Sequence, residues 1–147
     1  MGDEVRTSGT RVYVDMVGDL FHAGHVTLLR EARSHGDQLV VGVLSDDTAA
    51  SYKRRPIMTL AERVAVIEAC RWVDEVIADA PFTVTEDFLE EHAITTVVHG
   101  DDLTADGARS IYGPAVAAGR FVAVPRTDGI STTEVIRRVL EAAASPE

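Results

Sequence analysis

Apolar positions along the chain alternate between two rhythms, and the alternation predicts the elements. Arg11–Asp15 is a short β-branched run that predicts a first strand. From Gly24 to Ser34 the apolar residues Val26, Leu28, Leu29 and Ala32 fall at helical spacing, and Gly36 is placed to stop that helix. Leu39–Leu44 is an almost unbroken apolar run, as expected of a parallel strand buried on both faces. Asp46–Tyr52 reads as a short helix, and Thr59-Leu60-Ala61-Glu62 as a capping box opening a helix to about Ala69, with Val64 and Ile67 inward. Glu75–Ala78 predicts a third strand, Thr85–His92 a helix and Thr96–His99 a fourth strand. A polar loop over Gly100–Ser110 follows, then a helix over Ile111–Ala118 ended by Gly119, and a fifth strand at Phe121–Val124. A second capping box, Ser131-Thr132-Thr133-Glu134, opens a last helix to about Ala143.

Strands that alternate with helices predict an α/β fold: a doubly wound, five-stranded parallel sheet with helices on both faces. The 147 residues suit one domain spanning residues 1–147, with an ordered core at about 11–142 and frayed ends before Arg11 and from Ala143 on. In such sheets ligands bind beyond the carboxyl ends of the strands, at the point where strand order reverses. The segments after strands one, two, four and five are therefore where chemistry is expected.

A net charge of −10 counts against nucleic acid and anionic membrane surfaces as partners, because both favour a basic face. The single cysteine, Cys70, lies in an apolar helical pattern and is expected to be a small core residue; with no disulfide available within the chain, a reducing, cytoplasmic setting is expected. Met1–Thr10 is polar and acidic and predicts no secretory leader, and no stretch approaches the ~20 apolar residues of a membrane helix.

Each of the expected strand ends carries polar residues. After the first strand come His22 and His25, three apart at the opening of a helix and so on one face. Unpaired N–H groups and the positive end of the helix dipole make that opening an anion site. A zinc pair and coincidence are the competing readings, although Cys70 and the other histidines show no metal-ligand spacing. After the fifth strand, Arg126 precedes the helix opening at Ser131, with Gly129 between them permitting close backbone approach; this is either a second phosphate cradle or a helix cap and nothing more. Lys53-Arg54-Arg55-Pro56 is a cationic island, read as solvated surface or as a loop closing over a ligand. Asp101-Asp102 is placed to bind a ribose or a metal, or to cap a turn.

Taken together these places resemble one family. His22-Ala23-Gly24-His25 matches the H-x-G-H signature of nucleotidylyltransferases, and Arg126-Thr127-Asp128-Gly129-Ile130-Ser131-Thr132-Thr133 is similar to the R-T-x-G-I-S-T-T signature of their cytidylyltransferase branch. The resemblance runs from about Val12 to Val139, takes in Gly36-Asp37, Gly42-Val43, Trp72-Val73-Asp74-Glu75-Val76 and His99-Gly100-Asp101-Asp102, and is somewhat nearer the ethanolamine-phosphate enzymes than the glycerol-phosphate ones. One departure stands out. Where the family often has G-x-F-D, this chain has Met16-Val17-Gly18-Asp19, so a glycine that lets the nucleotide pack against the backbone is replaced by Met16.

The resemblance implies a Rossmann-like domain that transfers CMP from CTP to a small phosphate- or phosphonate-bearing alcohol or amine and releases pyrophosphate. His22 and His25 would touch the triphosphate, Lys53 and Arg126 would bridge acceptor and nucleotide phosphates, and Ser131 and Thr132 would hold the β and γ phosphates. Val17, Gly18, Asp19, Gly24, Gly100, Gly129 and Ile130 would shape the nucleotide site, with Asp101 and Arg63 near the nucleoside. Mg²⁺ would accompany CTP without a dedicated protein cage. The acceptors expected are phosphoethanolamine, 2-aminoethylphosphonate or 2-hydroxyethylphosphonate, with glycerol 3-phosphate as the alternative; Asp19 and Tyr52 are the candidates to meet an ammonium group. A homodimer is implied, with Trp72-Val73-Asp74 at the contact, against the plainer reading of Trp72 as core. The competing functions are an adenylyltransferase and a non-catalytic nucleotide-binding sensor.

Overall fold

The computed structural model describes residues 9–145; of the ends read as frayed, residues 1–8 and 146–147 lie outside the described residues. Among these residues five strands, β1 (Arg11–Met16), β2 (Gln38–Val43), β3 (Glu75–Ala78), β4 (Thr96–Gly100) and β5 (Phe121–Val124), form one sheet in the order β3-β2-β1-β4-β5. Every pairing is parallel, with Val14 beside Val41 and Tyr13 beside Val97. The chain winds outward from β1 through β2 to β3, then returns to the other side of β1 for β4 and β5. Strand order thus reverses between β1 and β4, and the crevice beyond their carboxyl ends is the expected ligand site.

Among the described residues six helices cover the sheet: α1 (Ala23–Arg33), α2 (Asp46–Ala50), α3 (Leu60–Glu68), α4 (Glu86–Glu91), α5 (Ala105–Ala117) and α6 (Thr132–Ala144). The period of two along β1 sorts the core. Val12, Val14 and Met16 pack with Leu29 and Ala32 of α1 and Ile67 of α3, whereas Tyr13 packs on the opposite face with Phe88 of α4 and Tyr112 of α5. Asp15, two residues after Tyr13, faces that second side as well, and its carboxylate accepts the Tyr112 hydroxyl at 2.7 Å.

Two expectations are corrected. The stretch 100–110 is not all loop: α5 begins at Ala105, because the Thr104 hydroxyl accepts the Gly107 N–H and caps it, and the helix kinks at Tyr112 ahead of Pro114. Nor does Ala143 mark a frayed end, since α6 continues through Ala144. The Thr59–Glu62 capping box is present in both directions. At Ser131 only half of the box forms: Ser131 Oγ accepts the Glu134 N–H at 3.0 Å, while Arg137 and Arg138 take the Glu134 carboxylate. Cys70 and Trp72 are half-buried against the first core cluster, and Arg71 lies 5.1 Å over the Trp72 ring. Asp74 holds the start of β2 by accepting the Leu39 N–H at 2.7 Å.

Arg63 is fully buried on α3 and joins three segments around the crevice. Its guanidinium donates to the carbonyls of Val17, Leu44 and Met58 and to the Asp46 carboxylate. A buried cation is tolerable when each guanidinium nitrogen finds an acceptor in this way, and removing it strands the acceptors. Arg63→Met is expected to lower stability by about 3 kcal/mol or more in urea unfolding at neutral pH; a loss under about 1 kcal/mol would show that the carbonyls find other partners.

Candidate active site

A cleft of about 720 Å³ opens at the strand-order reversal and is lined from β1, β4, the loop after α2 and the loop before α6. It gathers His22, His25, Lys53 and Arg126, and with them Val17, Gly18, Asp19, Gly24, Gly100, Ile130, Ser131 and Thr132. Three other residues named from the sequence do not line it. Arg63 is buried behind the wall, where each guanidinium nitrogen is bonded to the scaffold. Asp101 is exposed outside the cleft, and the adjacent Asp102 lines it instead. Gly129 also stands outside, with its carbonyl accepting from Arg138.

The turn from β1 into α1 is built for close approach. Gly18 has φ +71°, which strains any side chain, and a Cβ there would lie 2.7 Å from Ile67 Cδ1 and displace it. Met16, in the place of the family's glycine, ends β1 with its side chain in the core cluster. At Gly24 a Cβ would meet the His22 ring at 2.9 Å; its absence lets the imidazole fold over the helix opening.

His22 and His25 cap α1 reciprocally. His22 Nδ1 accepts the Gly24 N–H at 3.0 Å, and His25 Nδ1 accepts the His22 N–H at 3.0 Å. The rings lie 3.9 Å apart, and Phe21 stacks on His25 at 5.2 Å. A ring nitrogen that accepts a backbone N–H carries no proton, so in each neutral ring the hydrogen sits on Nε2. Burial pushes His25 down to about 4, with further lowering by His22 and Lys53 and a weaker opposing effect of Asp19; burial lowers His22 too. Both are therefore neutral near pH 7 and offer Nε2–H donors. Thr132 links the second helix opening to the first: its hydroxyl donates to the Asp19 carbonyl at 3.1 Å and lies 3.4 Å from His22 Nε2.

Asp19 lines the cleft, but both carboxylate oxygens are occupied, accepting the Ile57 N–H at 2.8 Å and the Met58 N–H at 3.0 Å. It anchors the loop that carries Lys53. Asp15 also lines the cleft. Burial pushes its carboxyl up, with the Tyr112 hydrogen bond the largest opposing effect, and Tyr112 and Tyr52 line the cleft with it. Tyr52 packs against Phe82 at 5.0 Å, and Lys53 Nζ is 5.6 Å from the Tyr52 ring centre. Asp102 Oδ2 is 3.5 Å from Arg126 and its Oδ1 3.7 Å from His99 Nδ1. Sequence reading passed over Asp15, Phe82, His99 and Tyr112 as site residues. For Asp15 a signal existed, since a carboxylate ending a buried strand requires a partner.

In the unfolded chain His25 regains its ordinary value near 6.5, so between about 4 and 6.5 the unfolded state binds more protons than the folded one. Stability from this group is complete above that window and is lost as pH falls through it; His22 has the same sign. Urea unfolding at about pH 7.5 and about pH 5 should show wild type losing stability at the lower pH. His25→Gln keeps an acceptor for the His22 N–H without a titrating ring, and should shrink that loss. An equal loss in both proteins would contradict the buried neutral imidazole.

Residues 18–138 match the family model described as cytidylyltransferase-like. The chain is 45% identical over 136 residues to an ethanolamine-phosphate cytidylyltransferase of Arabidopsis thaliana, covering 88% of this chain and 32% of that one. It is 45% identical over 132 residues to an ethanolamine-phosphate cytidylyltransferase of Dictyostelium discoideum (88% and 36%) and 40% identical over 133 residues to choline-phosphate cytidylyltransferase A of Rattus norvegicus (88% and 36%). This chain thus spans about a third of the length of the curated relatives it matches. Among solved structures, the lipopolysaccharide core biosynthesis protein from Thermoplasma volcanium GSS1 superposes with a TM-score of 0.70 at 27% identity, over 82% of this chain and 100% of that one. With the five-stranded parallel sheet, the paired histidines and a family match across most of its length, the chain belongs to the cytidylyltransferase-like family.

Proposed function

We propose that this chain transfers CMP from CTP to a small acceptor carrying a phosphate or phosphonate at one end and an ammonium at the other, in the manner of phosphoethanolamine or 2-aminoethylphosphonate. The observation that carries this reading is the convergence of two helix openings on one cleft. His22 and His25 stand at the N-terminus of α1, Ser131 and Thr132 at that of α6, and Lys53 and Arg126 line the same space. Such a site suits a polyphosphate. Asp15, with Tyr112 and Tyr52, supplies the opposite chemistry at the other end: a carboxylate whose burial is costly until a cation meets it, beside aromatic faces.

In the proposed step an oxygen of the acceptor phosphate attacks the α-phosphorus of CTP. A new P–O bond forms, the bond from the α-phosphorus to the α–β bridging oxygen breaks, and pyrophosphate leaves with that electron pair. A phosphate monoester is already anionic near neutral pH, its second pKa being about 6, so the step needs no general base. Positioning and charge stabilisation remain for the protein to supply. Neutral His22 and His25 direct Nε2–H donors at charge that develops on the α-phosphoryl group, and being neutral beforehand they need not be stripped of a bound anion. Lys53 and Arg126 screen the repulsion between two anionic reactants.

Mg²⁺ belongs to this reading as a companion of CTP. Of the cleft's carboxylates, Asp19 accepts two backbone N–H groups, Asp102 faces Arg126, and Asp15 is the one assigned above to the acceptor's cation. Among the described residues no cluster of three potential ligands forms. The ion would therefore be held by phosphate oxygens and water, where it neutralises triphosphate charge. A homodimer and a cytoplasmic setting are part of the same proposal. Among the described residues no helix is long and apolar enough to cross a membrane.

Pyrophosphate release with Mg²⁺ tests the reading, with CTP and ATP each offered phosphoethanolamine, 2-aminoethylphosphonate, 2-hydroxyethylphosphonate and glycerol 3-phosphate. Release is expected with CTP and an ammonium-bearing acceptor. Tight CTP binding without release from any acceptor would make the chain a nucleotide sensor, and preference for ATP would make it an adenylyltransferase. His25→Ala is expected to lower kcat by about 10²–10³ with the fold retained. Arg126→Ala should show its loss chiefly in kcat/KM, and normal kinetics in that variant would remove Arg126 from the site.

A further inference from the structure

Lys53-Arg54-Arg55 lies on a strap between α2 and α3, and the three cations go to different places. Arg55 turns back to α2, its guanidinium 2.6 Å from Asp47 and 3.9 Å from Asp46. Lys53 lines the cleft with Nζ 5.6 Å from the Tyr52 ring centre, and its N–H donates to the Ala49 carbonyl at 2.9 Å. Arg54 lines the cleft as well, yet among the described residues no carboxylate or carbonyl meets its guanidinium. The strap is fastened on both sides of it. Ala49 holds the Lys53 N–H before it, and after it Asp47 holds Arg55 while Asp19 holds the Ile57 and Met58 N–H groups. A solvated basic run would leave its neighbours untied. Here the backbone is fixed and one guanidinium stands over the cleft without a carboxylate, in a chain whose net charge is −10.

Sheet order decides which anion that guanidinium meets. The strap follows β2, Arg126 and the α6 opening follow β5, and the α1 opening with His22 and His25 follows β1, between them. In-line displacement puts the attacking and leaving oxygens on opposite sides of the α-phosphorus. With the leaving pyrophosphate at the α6 opening, the attacking group enters from the side of the strap. Building on the proposed cytidylyl transfer, we infer that Arg54 grips the phosphate or phosphonate of the acceptor. Its guanidinium forks onto two of the three terminal oxygens and leaves the third to form the new bond to the α-phosphorus of CTP. A planar fork fixes the orientation of that group as well as neutralising it, whereas an ammonium supplies a point charge only. Orientation matters because the attacking oxygen has to stand about 3–3.5 Å from the phosphorus. The contact is with the terminal oxygens that every proposed acceptor shares, so it is blind to the rest of the acceptor.

Steady-state kinetics of the whole chain with Mg²⁺ test this in wild type, Arg54→Gln, Arg54→Lys and Arg109→Gln, each reactant being varied with the other saturating. Each of phosphoethanolamine, 2-aminoethylphosphonate, 2-hydroxyethylphosphonate and glycerol 3-phosphate that wild type turns over is compared, and circular dichroism reports on the fold. Arg54→Gln should raise the acceptor KM by about 10–100-fold for every such acceptor, and the CTP KM by about threefold or less. Arg54→Lys keeps the charge without the fork and should recover only part of the acceptor KM. Arg109 is exposed on α5 outside the cleft, so Arg109→Gln makes the same change in net charge and should move neither KM by more than about twofold. An equal rise in both KM values, a rise confined to CTP, a rise for some acceptors and not others, full recovery by lysine, or unchanged constants in Arg54→Gln each overturn the assignment and leave cytidylyl transfer standing. Wild type that consumes CTP with no acceptor overturns both.

Discussion

The reciprocal cap between His22 and His25 is the interaction on which the rest of the site depends. A helix opening leaves backbone N–H groups unmatched, and a nearby side-chain oxygen ordinarily takes one. Here two imidazoles do it for each other, His22 Nδ1 accepting from Gly24 and His25 Nδ1 from His22. The same bonds determine tautomer, ring orientation and charge state together. Protonating either Nδ1 would set an N–H against an N–H, and burial adds to that cost at His25. The helix end thus spends its capping nitrogens on structure and leaves the two Nε2–H groups to the cleft, that of His22 beside the Thr132 hydroxyl.

The surrounding scaffold holds this arrangement in register. Strand order reverses beside β1, so the carboxyl ends of β1 and β4 open onto one crevice instead of being covered by a crossover helix. Arg63 fastens the residue after β1, the residue after β2 and the residue before the α3 cap to one guanidinium. Asp19 fastens the loop carrying Lys53 by accepting from Ile57 and Met58. Arg63 lies behind the cleft and Asp19 lines it, and each decides where a charged group stands. With two charges consumed as scaffold, the cleft keeps His22, His25, Lys53 and Arg126 as its donors and cations.

Much of this was legible in the chain. β3 and β5 fall on the residues that their apolar runs predict, and β1, β2 and β4 to within a residue at either end. The paired histidines, Lys53, Arg126 and the Ser131 helix opening were all placed at strand ends, and the structure brings them to one cleft. What escaped depended on tertiary contact. The first turns of α5 lack an apolar period, and only the Thr104 cap reveals them. Arg63 reads as a cation available to a ligand until three carbonyls from distant segments are seen to use it up. Asp15 and Asp19 are interchangeable as sequence, and they part when Tyr112, 97 residues away, is set beside Asp15 while backbone N–H groups fill Asp19. The mutual histidine cap was hidden for a different reason: His22 and His25 read as ligands for an anion, whereas half of each ring is spent on the helix itself.

The central claim is that at neutral pH His22 and His25 are both neutral, with hydrogen on Nε2. Long-range ¹H–¹⁵N correlation of the imidazoles, assigned with His22→Gln and His25→Gln, reads this directly. The account predicts, at about pH 7, Nδ1 resonances typical of an unprotonated ring nitrogen and Nε2 resonances typical of N–H for both residues. Imidazolium signals at that pH, or hydrogen on Nδ1 of either ring, would contradict it, because the helix cap and the outward-facing donors could not then coexist.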